Sequence, residues 1–152
     1  MKRLAPFAMV LMLSLIASTS FAQKMSAAKP ALFASYPSLI SCKETELNDV
    51  FKTSNGKNIT VTLAGKPTFS GIVMSNVAKH DNLQYIAIKI PSLDNAIMSI
   101  SKRTDANNNV FYIGHIINTK SSDAYELKKT KDGQYQFQKI DLEKLMPTCT
   151  QQ

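Results

Sequence analysis

The chain has 152 residues, with 18 basic against 11 acidic side chains and a formal charge of +7. That length suits one ordinary domain and excludes two comfortable ones. Two histidines and two cysteines, with neither an HExxH sequence nor a Cys cluster, argue against a zinc site.

The N-terminus carries the first instruction. Lys2 and Arg3 precede a stretch from Leu4 to Ala17 that is apolar apart from Pro6 and Ser14, and Ser20-Phe21-Ala22 offers small residues three before and one before a cut. This order of charge, apolar run and small-x-small site predicts a secretory signal peptide over 1–22, cleaved after Ala22. The apolar run is shorter than the roughly 20 residues a membrane span needs. Cleavage removes two bases, leaving 16 against 11 acids. No second long apolar segment follows, so no membrane span is expected after cleavage. Residues 23–38 mix Ala, Ser, Lys and Pro without period and read as a flexible leader, leaving 39–152 as a single β-rich domain. Export also bears on Cys42 and Cys149, which lie 107 positions apart. In an oxidising compartment such a pair is expected to form a disulfide, worth about 4–5 kcal/mol by loop entropy.

Ser41 and Glu44 have capping-box spacing, and Leu47, Val50 and Phe51 follow at helical intervals. A short amphipathic helix is therefore expected over 42–52, stopped by Asn55-Gly56. Beyond it the period changes to two. Strands are expected over 58–63, 68–77, 83–90, 96–102, 110–118, 124–130 and 135–140, with Gly71 marking a bulge or a close contact. Gly65-Lys66-Pro67, His80-Asp81-Asn82, Asp94-Asn95, the polar run 104–109 and Lys131-Asp132-Gly133-Gln134 supply the turns. One helical turn is expected over 142–146. The fold class is mainly β with one short N-terminal helix: about seven antiparallel strands as a meander, forming an open sheet, a sandwich or a small barrel. No gap could hold the crossover helix of a parallel unit.

Residues 110–118 are apolar at both parities, with Phe111, Ile113, His115 and Ile117 on one face and Val110, Tyr112, Gly114 and Ile116 on the other. The strand is therefore expected to be central and covered on both faces, with Ile113 in the core. Should it prove peripheral, its apolar surface becomes the candidate for a partner site.

Chemistry is sparse. His80 beside Asp81 suits a turn better than a triad, because adjacent residues rarely meet in triad geometry. His115, on an apolar strand face, is the other candidate site residue. There is no G-x-S-x-G elbow, no phosphate loop and no complete calcium loop around Asp105. No catalytic, cofactor-binding or metal-binding residue is assigned, and no cofactor is expected. Lys128, Lys129 and Lys131, interleaved with Tyr125, Tyr135 and Phe137, could form a nucleic-acid-binding surface. Export and the predominance of Lys over Arg favour instead an edge hairpin guarded by lysines, with its aromatics facing the core.

The expectation is thus an exported, non-enzymatic binding or interaction protein of the periplasm or exterior. Its partner would be a protein, a glycan or an apolar ligand, and not nucleic acid. The alternatives are a hydrolase with its site around His115 and a β-barrel carrier of an apolar ligand. The meander resembles lipocalin-like carriers in topology alone, since their Gly-x-Trp signature needs a tryptophan and this chain has none.

Overall fold

Period-two patterning builds eight antiparallel strands. The computed structural model describes residues 29–64 and 66–145, and residues 1–22, expected to be a signal peptide, and Cys149 lie outside the described residues. The strands are β1 (Leu39–Cys42), β2 (Asn58–Thr62), β3 (Thr68–His80), β4 (Leu83–Ile90), β5 (Ala96–Thr104), β6 (Val110–Ile117), β7 (Asp123–Lys129) and β8 (Tyr135–Asp141). They form one sheet in the order β1-β8-β7-β6-β5-β4-β3-β2, a meander that curls into an open half-barrel. A helix, α1 (Glu44–Val50), follows β1, and a single turn, α2 (Leu142–Leu145), follows β8.

The inner face of the curl holds the core. Alternate residues point inward along each strand, among them Ile86, Ile88 and Ile90 of β4, Met98 and Ile100 of β5, Tyr125 and Leu127 of β7, and Tyr135 and Phe137 of β8, all buried. Helix α1 supplies Leu47 and Val50, and Phe51 follows as its C-cap, so its apolar stripe joins the same cluster. Two glycines permit tight sheet contacts. A Cβ on Gly71 would meet the carbonyl oxygen of Lys89 at 2.5 Å, and one on Gly114 that of Ser99 at 2.6 Å. Gly71 is thus a close contact, while the irregularities of β3 fall between Val73 and Ser75 and between Ala78 and His80.

Several expectations are corrected. Among the described residues there are eight strands and not seven, because residues 39–42 pair with β8 from Leu39↔Gln138 to Cys42↔Tyr135. Ser41 is therefore a strand residue and not a helix cap. The helix begins two residues later than expected, at Glu44, with Lys43 as its N-cap, where the Glu46 carboxylate accepts the Lys43 backbone N–H at 3.0 Å. The same carboxylate accepts the Ala64 N–H at 3.1 Å and ties α1 to the end of β2.

Residues 29–38 depart from the expected flexible leader. Phe33 is fully buried, and its N–H donates to Asp123, 3.1 Å from Oδ2. Lys139 Nζ donates to the carbonyls of Phe33 and Tyr36 at 2.6 and 2.8 Å, and the Tyr125 hydroxyl donates to Pro37 O. Tyr36 stacks on Phe69 across the curl. One buried aromatic and a set of long-range hydrogen bonds outweigh a composition that lacks period.

The β7–β8 hairpin is not an edge, since β1 covers β8. Its aromatics Tyr125, Tyr135 and Phe137 do face the core. The sheet edges are β1 and β2, which do not pair with each other. The sheet is therefore not a closed barrel, and its concave side is filled by side chains. Finally, β6 has neighbours on both sides but cover on only one. Tyr112 and Ile116 are buried, whereas Ile113 is 44% exposed. Helix α1 packs inside the curl, and among the described residues no element covers the outside.

Candidate functional site

The outer face of the sheet is set by the same alternation that builds the core. The register arranges it in cross-strand rows. One row runs Asn58, Ile72, Lys89, Ile97, Ile117 across β2 to β6. The next runs Ser75, Ala87, Ser99, His115, Glu126, Gln138 and ends on Leu39 of β1. A third holds Val77, Tyr85, Ser101 and Ile113, and a fourth His80, Leu83, Arg103 and Phe111. Directly opposed residues have Cβ atoms about 4.5–5.5 Å apart.

Among the described residues, the large hydrophobic side chains left exposed are Leu39, Ile72, Met74, Val77, Ile97 and Ile113. All six lie on this face, with Met74 at the β3 irregularity. Singly scattered exposed hydrophobics are normal on a soluble protein, but a set gathered on one face marks an interaction surface. Toward β2 the same face turns polar, with Thr60 facing Ser70 and Thr62 facing Thr68 at hydroxyl distances of 3.5 and 3.3 Å.

Basic groups lie within the apolar rows. Lys89 stands between Ile72 and Ile97, and Arg103 between Leu83 and Phe111. Lys79 Nζ lies 5.9 Å from the Tyr85 ring centroid. Lys128 pairs with Glu126 at 2.9 Å. Lys102, the neighbour of Arg103, takes the opposite direction and donates to Asn48 Oδ1 of α1 at 2.7 Å.

Both histidines belong to this face, but they do not meet. His80 is the last residue of β3, on the fourth row, and Asp81 is in the two-residue turn that follows. His115 is on β6, two rows away and three strands across, a separation of roughly 20 Å by strand rise and spacing. His115 does have Ser99 on one side and Glu126 on the other, the residue types of a hydrolytic triad. No hydrogen bond joins the three among the described residues, and the Glu126 carboxylate is engaged by Lys128. A triad requires nucleophile, base and orienting acid in hydrogen-bonded sequence, so this row does not have that arrangement. Among the described residues no three His, Cys, Asp or Glu side chains converge as metal ligands would.

Cys42 lies on the inner face of β1, buried, with its Sγ 3.5 Å from Ile40 O. Burial pushes its thiol up to about 12, Glu46 adds to the rise, and a backbone contact from Phe137 opposes it. A reactive thiol needs the reverse shift. Elsewhere, Asp105 is held below the usual carboxylate range by hydrogen bonds from the Asn109 side chain and backbone and the Asn107 backbone. That is an exposed turn closing on itself. A hollow of about 500 Å³ is bordered by Ser35, Tyr36, Pro37, Lys66, Pro67 and Thr68.

The sequence reading missed the face as a unit. Its trace was present in Ile72 and Met74 flanking the inward Val73, and in the double-sided hydrophobicity of β6, but alternation alone does not say which parity a helix will cover. No family model, no curated protein and no solved structure matches this chain.

Proposed function

We propose that this chain is an exported, non-enzymatic binding protein whose partner lies against the outer face of the sheet. One observation carries the reading: every large hydrophobic left exposed among the described residues falls on that face. Ile72, Ile97 and Ile113 project from central strands with paired neighbours on both sides, so they leave the backbone ladder intact and free the face for contact. Chemical footprinting of methionine tests this directly. Met74 is 58% exposed on the face and Met98 is fully buried beneath it. In the purified protein Met74 should oxidise readily and Met98 slowly. In the producing cells or their envelope fraction Met74 should become protected. Equal Met74 oxidation in both settings would overturn the reading.

Export by cleavage after Ala22 and a Cys42–Cys149 disulfide complete the proposal. The register makes the bond demanding. Cys42 sits opposite Tyr135 at the start of β8, about 20 Å by strand rise from Asp141 at its far end. Intact mass after alkylation without reductant should show no free thiol in secreted material, and two alkylated cysteines would exclude the bridge.

A further inference from the structure

We infer that the outer face docks on the surface of an anionic lipid bilayer, an inference that rests on the reading of this face as the binding surface. Charge selects the sign of the partner. The strand residues of the face include four bases, Lys79, Lys89, Arg103 and Lys128, and one acid, Glu126. Glu126 is neutralised by Lys128, and Lys79, Lys89 and Arg103 have no carboxylate partner among the described residues. Over the rest of the described chain bases and acids are nearly balanced, so the excess positive charge is concentrated here. A second copy placed face to face would set bases against bases, because a two-fold interface joins the same patch on both subunits.

The interleaving of charge and apolar side chains separates a bilayer from an acidic protein. The buried centre of a protein interface is depleted of charge, with polar groups at its rim. Here Lys89 and Arg103 occupy interior positions of apolar rows, between Ile72 and Ile97 and between Leu83 and Phe111. A dry protein contact would strand Lys89, since interface centres favour arginine but are depleted of lysine. A headgroup layer accommodates the pattern: Ile, Met and Phe side chains reach the acyl boundary, while Lys and Arg lay their stems along it and turn their tips to phosphate. The apolar side chains stand proud on the convex side of the curl, led by Met74. Among the described residues no helix is long and apolar enough to cross a membrane, so on this reading their attachment is to the surface.

Vesicle co-sedimentation of the full chain tests the inference, with wild type and variants sharing one N-terminus so that residues before 29 contribute equally. Binding is expected to vesicles of phosphatidylcholine with one part in three phosphatidylglycerol, to fall with salt, and to be weak on phosphatidylcholine alone. Replacing both central bases, Lys89→Gln/Arg103→Gln, should weaken it about 25-fold, from the usual contribution of each basic group at an anionic surface. Met74→Ser and Ile113→Ser should each weaken it severalfold. The charge-matched pair Lys43→Gln/Lys66→Gln, exposed and off the strand face, should retain most of the binding. Equal binding to both lipids, or equal loss from the two charge pairs, overturns the inference. So does the absence of vesicle binding. If Met74 is nonetheless protected in cells, the face binds another partner, such as an acidic protein, and only the lipid assignment falls.

Discussion

The two faces of β6 carry similar side chains and have opposite fates. Tyr112 and Ile116 point into the curl and are buried, packed with Phe51 and Tyr135 among others. Phe111, Ile113 and Ile117, one residue out of phase, look outward and stay partly or largely in water. Hydrophobicity alone does not distinguish the sets. Cover does: α1 and residues 29–38 lie on the concave side, and among the described residues nothing lies on the convex side. The lesson is that an apolar residue contributes to stability only where another element removes it from water. Where no element does so, the same residue type is available to a partner.

The sharpest way to break this comparison is to truncate the inner face. Ile116→Ala should cost about 2–5 kcal/mol, as buried large-to-small changes do, read from the denaturant midpoint at constant slope. A loss near zero would mean that the core does not run under β6.

Alkali should act on the inner face next. Burial raises the Tyr112 and Tyr125 hydroxyls to about 12 from an ordinary 10, with smaller contributions from nearby Glu44 and Asp123 respectively. The native state therefore holds both phenols neutral. The stability this represents is fully present below pH 10 and is lost as pH rises through the folded values, on the order of 1 kcal/mol per tyrosine by pH 11. Absorbance titration of phenolate should show late ionisation, and Tyr112→Phe and Tyr125→Phe should each reduce its amplitude by one tyrosine. If all five ionise together near 10, the inner face is open to water.

The smallest effect belongs to the outer face. Ile113→Ala should change stability by no more than about 0.5 kcal/mol, the usual range for exposed positions. A loss as large as that of Ile116→Ala would show that something in the protein covers the outer face, and the binding surface would lie elsewhere.

How much was legible in the chain can be judged strand by strand. β4 follows the expected 83–90 to the residue, because Ile86, Ile88 and Ile90 alternate cleanly and Pro91 ends the run. The β7–β8 turn is equally local, with Gly133 at φ 80° as its composition requires. The missed strand, β1, has four residues, too few to express a period, and it forms because β8 offers an unpaired edge. The Ser41–Glu44 spacing mimicked a cap that strand pairing forbids. Asp81 was placed correctly at a turn by local chemistry, but β3 runs on past the expected Val77 to include His80, and the row of His115 with Ser99 and Glu126 exists only through pairing.

What the sequence determined by itself was therefore what depends on near neighbours: strand periods, most turn residues, and the amphipathic stripe of Leu47, Val50 and Phe51. What only the tertiary structure decided was which parity of each strand is buried, which strands are edges, and that the sheet curls without closing. A side-chain period of two states that the faces differ and is silent on which faces in. That choice is made by where α1 and residues 29–38 come to rest, through contacts such as Phe33 with Asp123 and Lys139 with Tyr36. The segments they join are about a hundred positions apart, beyond the reach of any local pattern.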